Sequence, residues 1–140
     1  MKIECSIEKI KNALISVERS TGKNLTLPVL STILWVAKNN TLKLRATNLN
    51  IGIEIEVAAK IEEEGTVAIR GDVLSSLFAV MQGDSNVSFE LQNGNLSVKT
   101  KSNKILIKSV PHEDFPTIPN VEGDSFEIPI KKFIEGVKAV

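Results

Sequence analysis

His112, Glu113 and Asp114 stand in succession, and imidazole and carboxylate are among the groups that most often ligate metal or move protons. His112 is the only histidine in the chain, the triplet lies between Pro111 and Pro116, and no second cluster stands at ligand spacing. The segment therefore reads as a linker turn anchored by Phe115, not as a metal or acid-base centre. Arg70-Gly71-Asp72 has the form of an adhesion tripeptide, yet Asp72 ahead of an apolar helical pattern reads as a helix N-cap. Asn24-Leu25-Thr26, Asn86-Val87-Ser88 and Asn95-Leu96-Ser97 match glycosylation acceptors, which matter only in an exported chain. The sequence carries no nucleophile paired with a base, no glycine-rich phosphate loop and no metal constellation, so it predicts a protein without catalysis, cofactor or metal.

What remains is charge. The net charge is zero, but residues 1–45 carry a surplus of five basic side chains and residues 46–96 a deficit of six, an asymmetry that could orient the domain in an electric field or simply be a solvated mixed surface. Lys9, Lys11, Asn12 and Arg19 fall on the polar side of a helical pattern, diluted by Glu8 and Glu18; that side either meets a nucleic-acid backbone or is simply solvated. Base stacking is disfavoured, because tyrosine is absent, aromatics make up 4% of the chain, and Trp35 sits between Leu34 and Val36 in a strand, where it reads as core.

Elements must position these groups. A chain of 140 residues with 42% apolar and 24% charged side chains suits one soluble domain with its own core. No apolar run approaches the length of a membrane span, and the N-terminus is too charged for a signal peptide. A lone Cys5 permits no internal disulfide, which agrees with a reducing cytoplasm. A first strand near residues 1–5 leads to Ser6 as N-cap of a helix with Ile7, Ile10, Leu14 and Val17 at helical spacing, ended by Gly22. Strands follow at 29–37, 41–47 and 51–58, the last two alternating apolar and polar residues, with Asn39-Asn40 as the first turn. The order then returns: a strand at 66–70, a helix opened by Asp72 and closed by Gly83, and strands at 86–91, 95–100 and 104–110, with Asn93-Gly94 as a hairpin turn. This predicts an α+β fold made of a β-α-β-β-β unit used twice, with sheets paired and both helices on one side. A third unit opens with a strand through Phe126, Ile128 and Ile130 and an amphipathic helix over 131–140. It implies a chain cut just after a domain boundary near Gly123, with domains at 1–122 and 123–140.

Three segments, Leu27-Pro28-Val29-Leu30, Ala46-Thr47-Asn48-Leu49 and Pro111-His112-Glu113-Asp114-Phe115-Pro116, stand in an order and spacing that resembles the bacterial DNA sliding clamp family, the beta subunit of DNA polymerase III. The resemblance covers the family's first domain and the start of its second. It implies a DNA-clamp fold, helices lining a hole, and a head-to-tail homodimeric ring that encircles duplex DNA in the cytoplasm as a processivity factor. It also implies that DNA polymerase III and the clamp loader bind through domains beyond this chain, and that no membrane is involved.

Carried over residue by residue, the resemblance places a DNA-backbone contact just before the Leu27-Pro28-Val29-Leu30 motif. This chain has Asn24 there with Lys23 beside it, so Lys23 is the better candidate. Where the family has basic residues at the start of the second helix, this chain has Asp72 and Val73, with Arg70 as the nearest cation. The expected DNA contacts are Lys23, Asn24, Arg70, Lys9 and Lys11, because phosphate contact is charge-neutralising and blind to sequence. In the strand at 104–110, Ile105, Leu106 and Ile107 make both faces apolar. The resemblance implies a subunit interface there through Leu77, Ile105 and Ile107; a strand covered on both faces by its own domain is the alternative. The competing function is a stand-alone β-rich module that binds a ligand or a protein, which would show an internal cavity lined by strand residues.

Overall fold

Alternation of apolar and polar residues dictates the strands, and helical spacing the helices. The computed structural model describes residues 1–23, 26–81 and 85–140. In chain order these form β1 (Lys2–Ser6), α1 (Ile7–Glu18), β2 (Thr32–Lys38), β3 (Thr41–Thr47), β4 (Gly52–Ala58), β5 (Lys60–Glu63), β6 (Gly65–Arg70), α2 (Gly71–Val80), β7 (Asn86–Gln92), β8 (Asn95–Lys99), β9 (Lys104–Ile107) and α3 (Ile130–Ala139). Two antiparallel sheets result, one in the order β5-β1-β7-β8-β9 and the other β4-β3-β2-β6. The doubled unit is present, but its sheets are exchanged. The first strand of each unit, β1 or β6, pairs with the hairpins of the other unit, β7 or β2. Neither half can complete a sheet alone.

The core lies between sheets and helices. Leu42, Leu44 and Ala46 of β3, Ile33 and Trp35 of β2, and Phe89 of β7 point inward and are buried. The Trp35 ring meets Phe89 edge-on with centroids 4.9 Å apart, and Phe78 of α2 lies 6.2 Å from the same Phe89. On α1, Ile7, Ile10, Ala13, Leu14 and Val17 are buried. Each large aliphatic side chain removed from water in this way contributes roughly 1.5 to 3 kcal/mol, which is why this spacing forms a helix here despite its β-branched residues.

Charges far apart in sequence are neighbours in space. Outward on the β3-β4 hairpin, Lys43 reaches Glu54 and Glu56 at 2.9 Å each, and Arg45 reaches Glu54 at 2.5 Å. Lys2 meets Glu62 at 2.6 Å. The basic first third and the acidic middle thus neutralise one another across antiparallel strands, which removes much of the field that the sequence asymmetry suggested.

Two turns use the left-handed region as their sequences predict: Asn39 and Asn40 (φ 51° and 57°) and Asn93 and Gly94 (φ 51° and 77°). A third was not foreseen. Leu49 sits at φ 74°, unusual for leucine. It is held there because the Thr47 hydroxyl accepts from its N–H at 3.0 Å and donates to the Ile51 carbonyl at 2.9 Å, while Asn48 Oδ1 accepts from Asn50 and Ile51. The Ala46-Thr47-Asn48-Leu49 segment is therefore a turn whose two polar side chains fix its backbone.

Several expected boundaries move. α1 ends at Glu18, four residues before Gly22, because Ser20 and Thr21 continue only as single turns onto Val17 and Glu18. Gly22 instead donates its N–H to Leu30 at 2.7 Å, and a Cβ there would stand 3.0 Å from the Leu30 side chain. Ser6 holds the N-cap position without a side-chain cap. β2 begins at Thr32, because Pro28 lacks an amide for the ladder and opens a 3₁₀ turn over Pro28–Ser31. Asp72 lies inside the first turn of α2, whose N-cap is Arg70. The expected stop at Gly83 lies outside the described residues. β5 was missed: an acidic run with the lone Ile61 gives little alternation, and as an edge strand it needs only β1 as partner.

β9 ends at Ile107, after which Val110 makes one bridge to Ala68 of β6 with an N–H to carbonyl bond of 2.9 Å. His112 begins a turn closed by the Phe115 N–H at 3.0 Å, and Phe115 is half-buried. Further on, Ile118 packs against Gly52 of β4. This linker runs from the β6 edge to the β4 edge over the outer face, where Leu34 and Ala68 are buried. No strand forms over 126–129; the chain passes directly into α3, none of whose residues is buried.

Candidate nucleic-acid interface

α1 and α2 lie side by side and antiparallel. At one end the start of α2 touches the end of α1: a Cβ on Gly71 would come within 3.2 Å of Thr21 and 3.3 Å of Glu18, so the absence of a side chain sets this close approach. At the other end Lys11 donates to the Met81 carbonyl at 3.4 Å. That bond closes a free carbonyl just past the last turn of α2, which gives Lys11 a tethering role between the helices.

The basic residues singled out from the sequence separate into two poles. Lys9 is exposed on the first half of α1, and Lys11 is half-buried beside Met81. About 13 Å along the helix from Lys9, at the rise of an α-helix, stands Glu18. Beyond it Lys23 and Arg70 line a common cleft of about 380 Å³ with Glu18 and Asp72. Asn24 lies outside the described residues. α2 contains no lysine or arginine, so along the helix pair the cations come from α1, from Lys23 and from Arg70 at the N-cap of α2.

Arg70 is not free. Its Nε and Nη2 donate to Asp72 Oδ1 and Oδ2 at 3.0 and 2.5 Å, and Asp72 Oδ1 also accepts the Val73 N–H at 2.8 Å. The guanidinium beside it holds the Asp72 carboxyl below the usual carboxylate range, with the Val73 amide acting in the same direction. No signal in the sequence beyond the spacing of two residues marks this pair.

A second feature borders the helix pair. Val73 and Leu77 of α2 and Ile105, Leu106 and Ile107 of β9 line a groove of about 330 Å³ rimmed by Arg70 and Lys108. The expected interface residues divide here. Leu77 and Ile105 are half-buried at the groove, whereas Ile107, although it also lines the groove, is only 7% exposed and packs with the core. Cross-strand register gives the reason: Ile105 and Ile107 face Val98 and Leu96, both core residues, while Leu106 pairs with Ser97 on the opposite face and is 59% exposed. Of these three consecutive strand residues only the middle one, Leu106, leaves the core face.

Comparison with known proteins follows the same lines. The beta sliding clamp of Synechococcus elongatus is 25% identical over 141 residues, covering 99% of this chain and 38% of the relative. The beta sliding clamp of Buchnera aphidicola is 30% identical over 134 residues, covering 92% of this chain and 36% of the relative. The chain thus spans a little over a third of the length of these relatives. The crystal structure of the DNA polymerase III beta subunit from Thermotoga maritima superposes with a TM-score of 0.88 at 24% identity, over 98% of this chain and 38% of that one, and so shares the fold. The family described as DNA polymerase III beta subunit, N-terminal domain, matches residues 1–119, and the chain belongs to that family.

Proposed function

We propose that this chain is the first domain of a DNA sliding clamp, a non-catalytic processivity factor of the bacterial cytoplasm. Two such polypeptides would close head to tail around duplex DNA and tether DNA polymerase III. The observation that carries the reading is the antiparallel pair α1 and α2, side by side with continuous sheets behind them. Such a pair offers a rigid inner surface, and its exposed cations make contacts with phosphate that carry no sequence information. The polymerase and the clamp loader would bind through domains beyond this chain. The family match supports a boundary after residue 119, from where every residue to 140 is exposed, and residues 123–140 would open the second domain. Leu77, Ile105 and Leu106 would form this domain's share of the subunit interface. The rival reading, a stand-alone ligand-binding module, is disfavoured by an interior filled with Trp35, Phe78 and Phe89.

The test is Lys23→Glu in the full-length protein, with binding to a short open-ended duplex followed by fluorescence anisotropy at several salt concentrations. Binding should weaken similarly for unrelated sequences, and the slope of log affinity against log salt should become shallower by about 0.9, the amount that one neutralised phosphate adds. Weaker binding with an unchanged slope would remove Lys23 from the phosphate-binding set.

A further inference from the structure

We propose that Asp72 is a built-in competitor for DNA phosphate: its carboxylate occupies the Arg70 guanidinium, and the cleft grips the backbone fully only when phosphate takes the place of Asp72. The inference rests on reading the Lys23–Arg70 cleft as a backbone-binding site, and concerns how that site is regulated.

The geometry points to exchange. A guanidinium presents a planar fork of donors that fits two oxygens of a carboxylate or of a phosphate equally well, and Asp72 fills it with two bonds of 3.0 and 2.5 Å. Both partners are more than half exposed, at 56% and 58% of their side-chain surface, so solvent and a phosphate can reach the pair. Exposed ion pairs are weakly held and screened by salt, so a dense line of phosphates can outcompete one carboxylate.

Asp72 is also anchored independently of Arg70. It accepts the Val73 N–H at 2.8 Å in the first turn of α2, where the helix dipole favours an anion. When Arg70 turns to a phosphate, Asp72 stays in place beside it, ready to recapture the guanidinium. Glu18 across the same cleft adds a second negative charge. With no other cation on α2, release of Arg70 is the only way the described part of this helix and its N-cap can bind a phosphate through a cationic side chain. The pair therefore sets how tightly this end of the helix pair holds DNA.

The experiment is Asp72→Asn in the full-length protein, with Asp72→Ser as a second variant that also leaves a first-turn acceptor for Val73. Binding to a short open-ended duplex is measured between about 50 and 200 mM salt. One additional neutralised phosphate steepens the salt slope by about 0.9, so the variants should bind more tightly at low salt and weaken about 3.5-fold more than the parent over that fourfold salt range. In an Arg70→Gln background, Asp72→Asn should leave the slope unchanged. An unchanged slope in the Arg70-containing variants would overturn the proposal, as would a tightening that persists without Arg70, which would be simple removal of a negative charge. Lys23→Glu separates the two readings. If it weakens binding while Asp72→Asn does nothing, competition alone falls; if neither variant changes binding, the backbone-binding site falls with it.

Discussion

Exchanging Ile107 and Leu106 for alanine, one at a time, in the 1–140 chain tests the assignment of β9 most directly. Ile107 is 7% exposed and faces Leu96 in the core, whereas Leu106 is 59% exposed. Truncating a buried isoleucine to alanine costs about 2 to 5 kcal/mol, and an edge strand, where neighbours can relax into the gap, belongs at about 2 to 3. For a domain of this size the unfolding entropy is about 0.3 kcal/mol per kelvin, so each kcal/mol lowers the melting temperature by about 3.4 °C. Ile107→Ala should therefore melt about 7 to 10 °C below the parent, followed by circular dichroism. Leu106→Ala should stay within about 2 °C, since exposed substitutions usually fall within about 0.5 kcal/mol. In the full-length protein, Leu106→Lys should weaken subunit association without lowering the melting temperature of the 1–140 chain. A large loss of stability from Leu106→Ala, or none from Ile107→Ala, would refute the face assignment.

Burial pushes the Cys5 thiol up to about 12, so the folded chain should resist thiol reagents at neutral pH and react as soon as it unfolds; rapid labelling under native conditions would contradict the buried placement. The hydrogen bond from Lys43 holds the Glu54 carboxyl below its ordinary value, opposed by burial and reinforced by Arg45. A carboxyl lowered in the folded state stabilises above its unfolded pKa and stops doing so as pH falls through the folded one. Glu54→Gln should accordingly cost up to about 1 kcal/mol at neutral pH and nothing in strong acid, measured by urea denaturation; a cost that persists in strong acid would show packing, not charge, to be responsible.

The strands that alternate cleanly were legible because one face of each is buried. β3 and β4 fall at Thr41–Thr47 and Gly52–Ala58, against expected ranges of 41–47 and 51–58, and the doubled unit followed from their order. The exchange of β1 and β6 between units was not legible, since which strands pair across 80 residues is decided by the shared core and leaves no local mark. β5 escaped for the opposite reason: an edge strand paired on one side tolerates acidic residues that hide its periodicity. The expected strand at 126–130 shows the converse, because alternation alone makes no strand where no neighbour supplies the hydrogen bonds.

The site was half legible. Lys23 and Arg70 were each named from the sequence, but their meeting depends on Gly71 admitting Thr21 and Glu18 to within a Cβ's reach, an approach between positions 50 residues apart. Charge counting overlooked how many of these cations have partners. Lys43 and Arg45 belong to the basic first third, yet both are occupied by glutamates of the neighbouring strand, and Lys11 is occupied by the Met81 carbonyl just past α2. Subtracting those leaves Lys9, Arg19 and Lys23 on the helix side, with Arg70 conditional on Asp72. On the proposed reading, so few cations, each indifferent to base sequence, would neutralise little phosphate at any moment. A protein that must remain on DNA while moving along it benefits from such weakness, because retention by topology needs no tight grip, and every additional fixed bond to phosphate would have to be broken at each step.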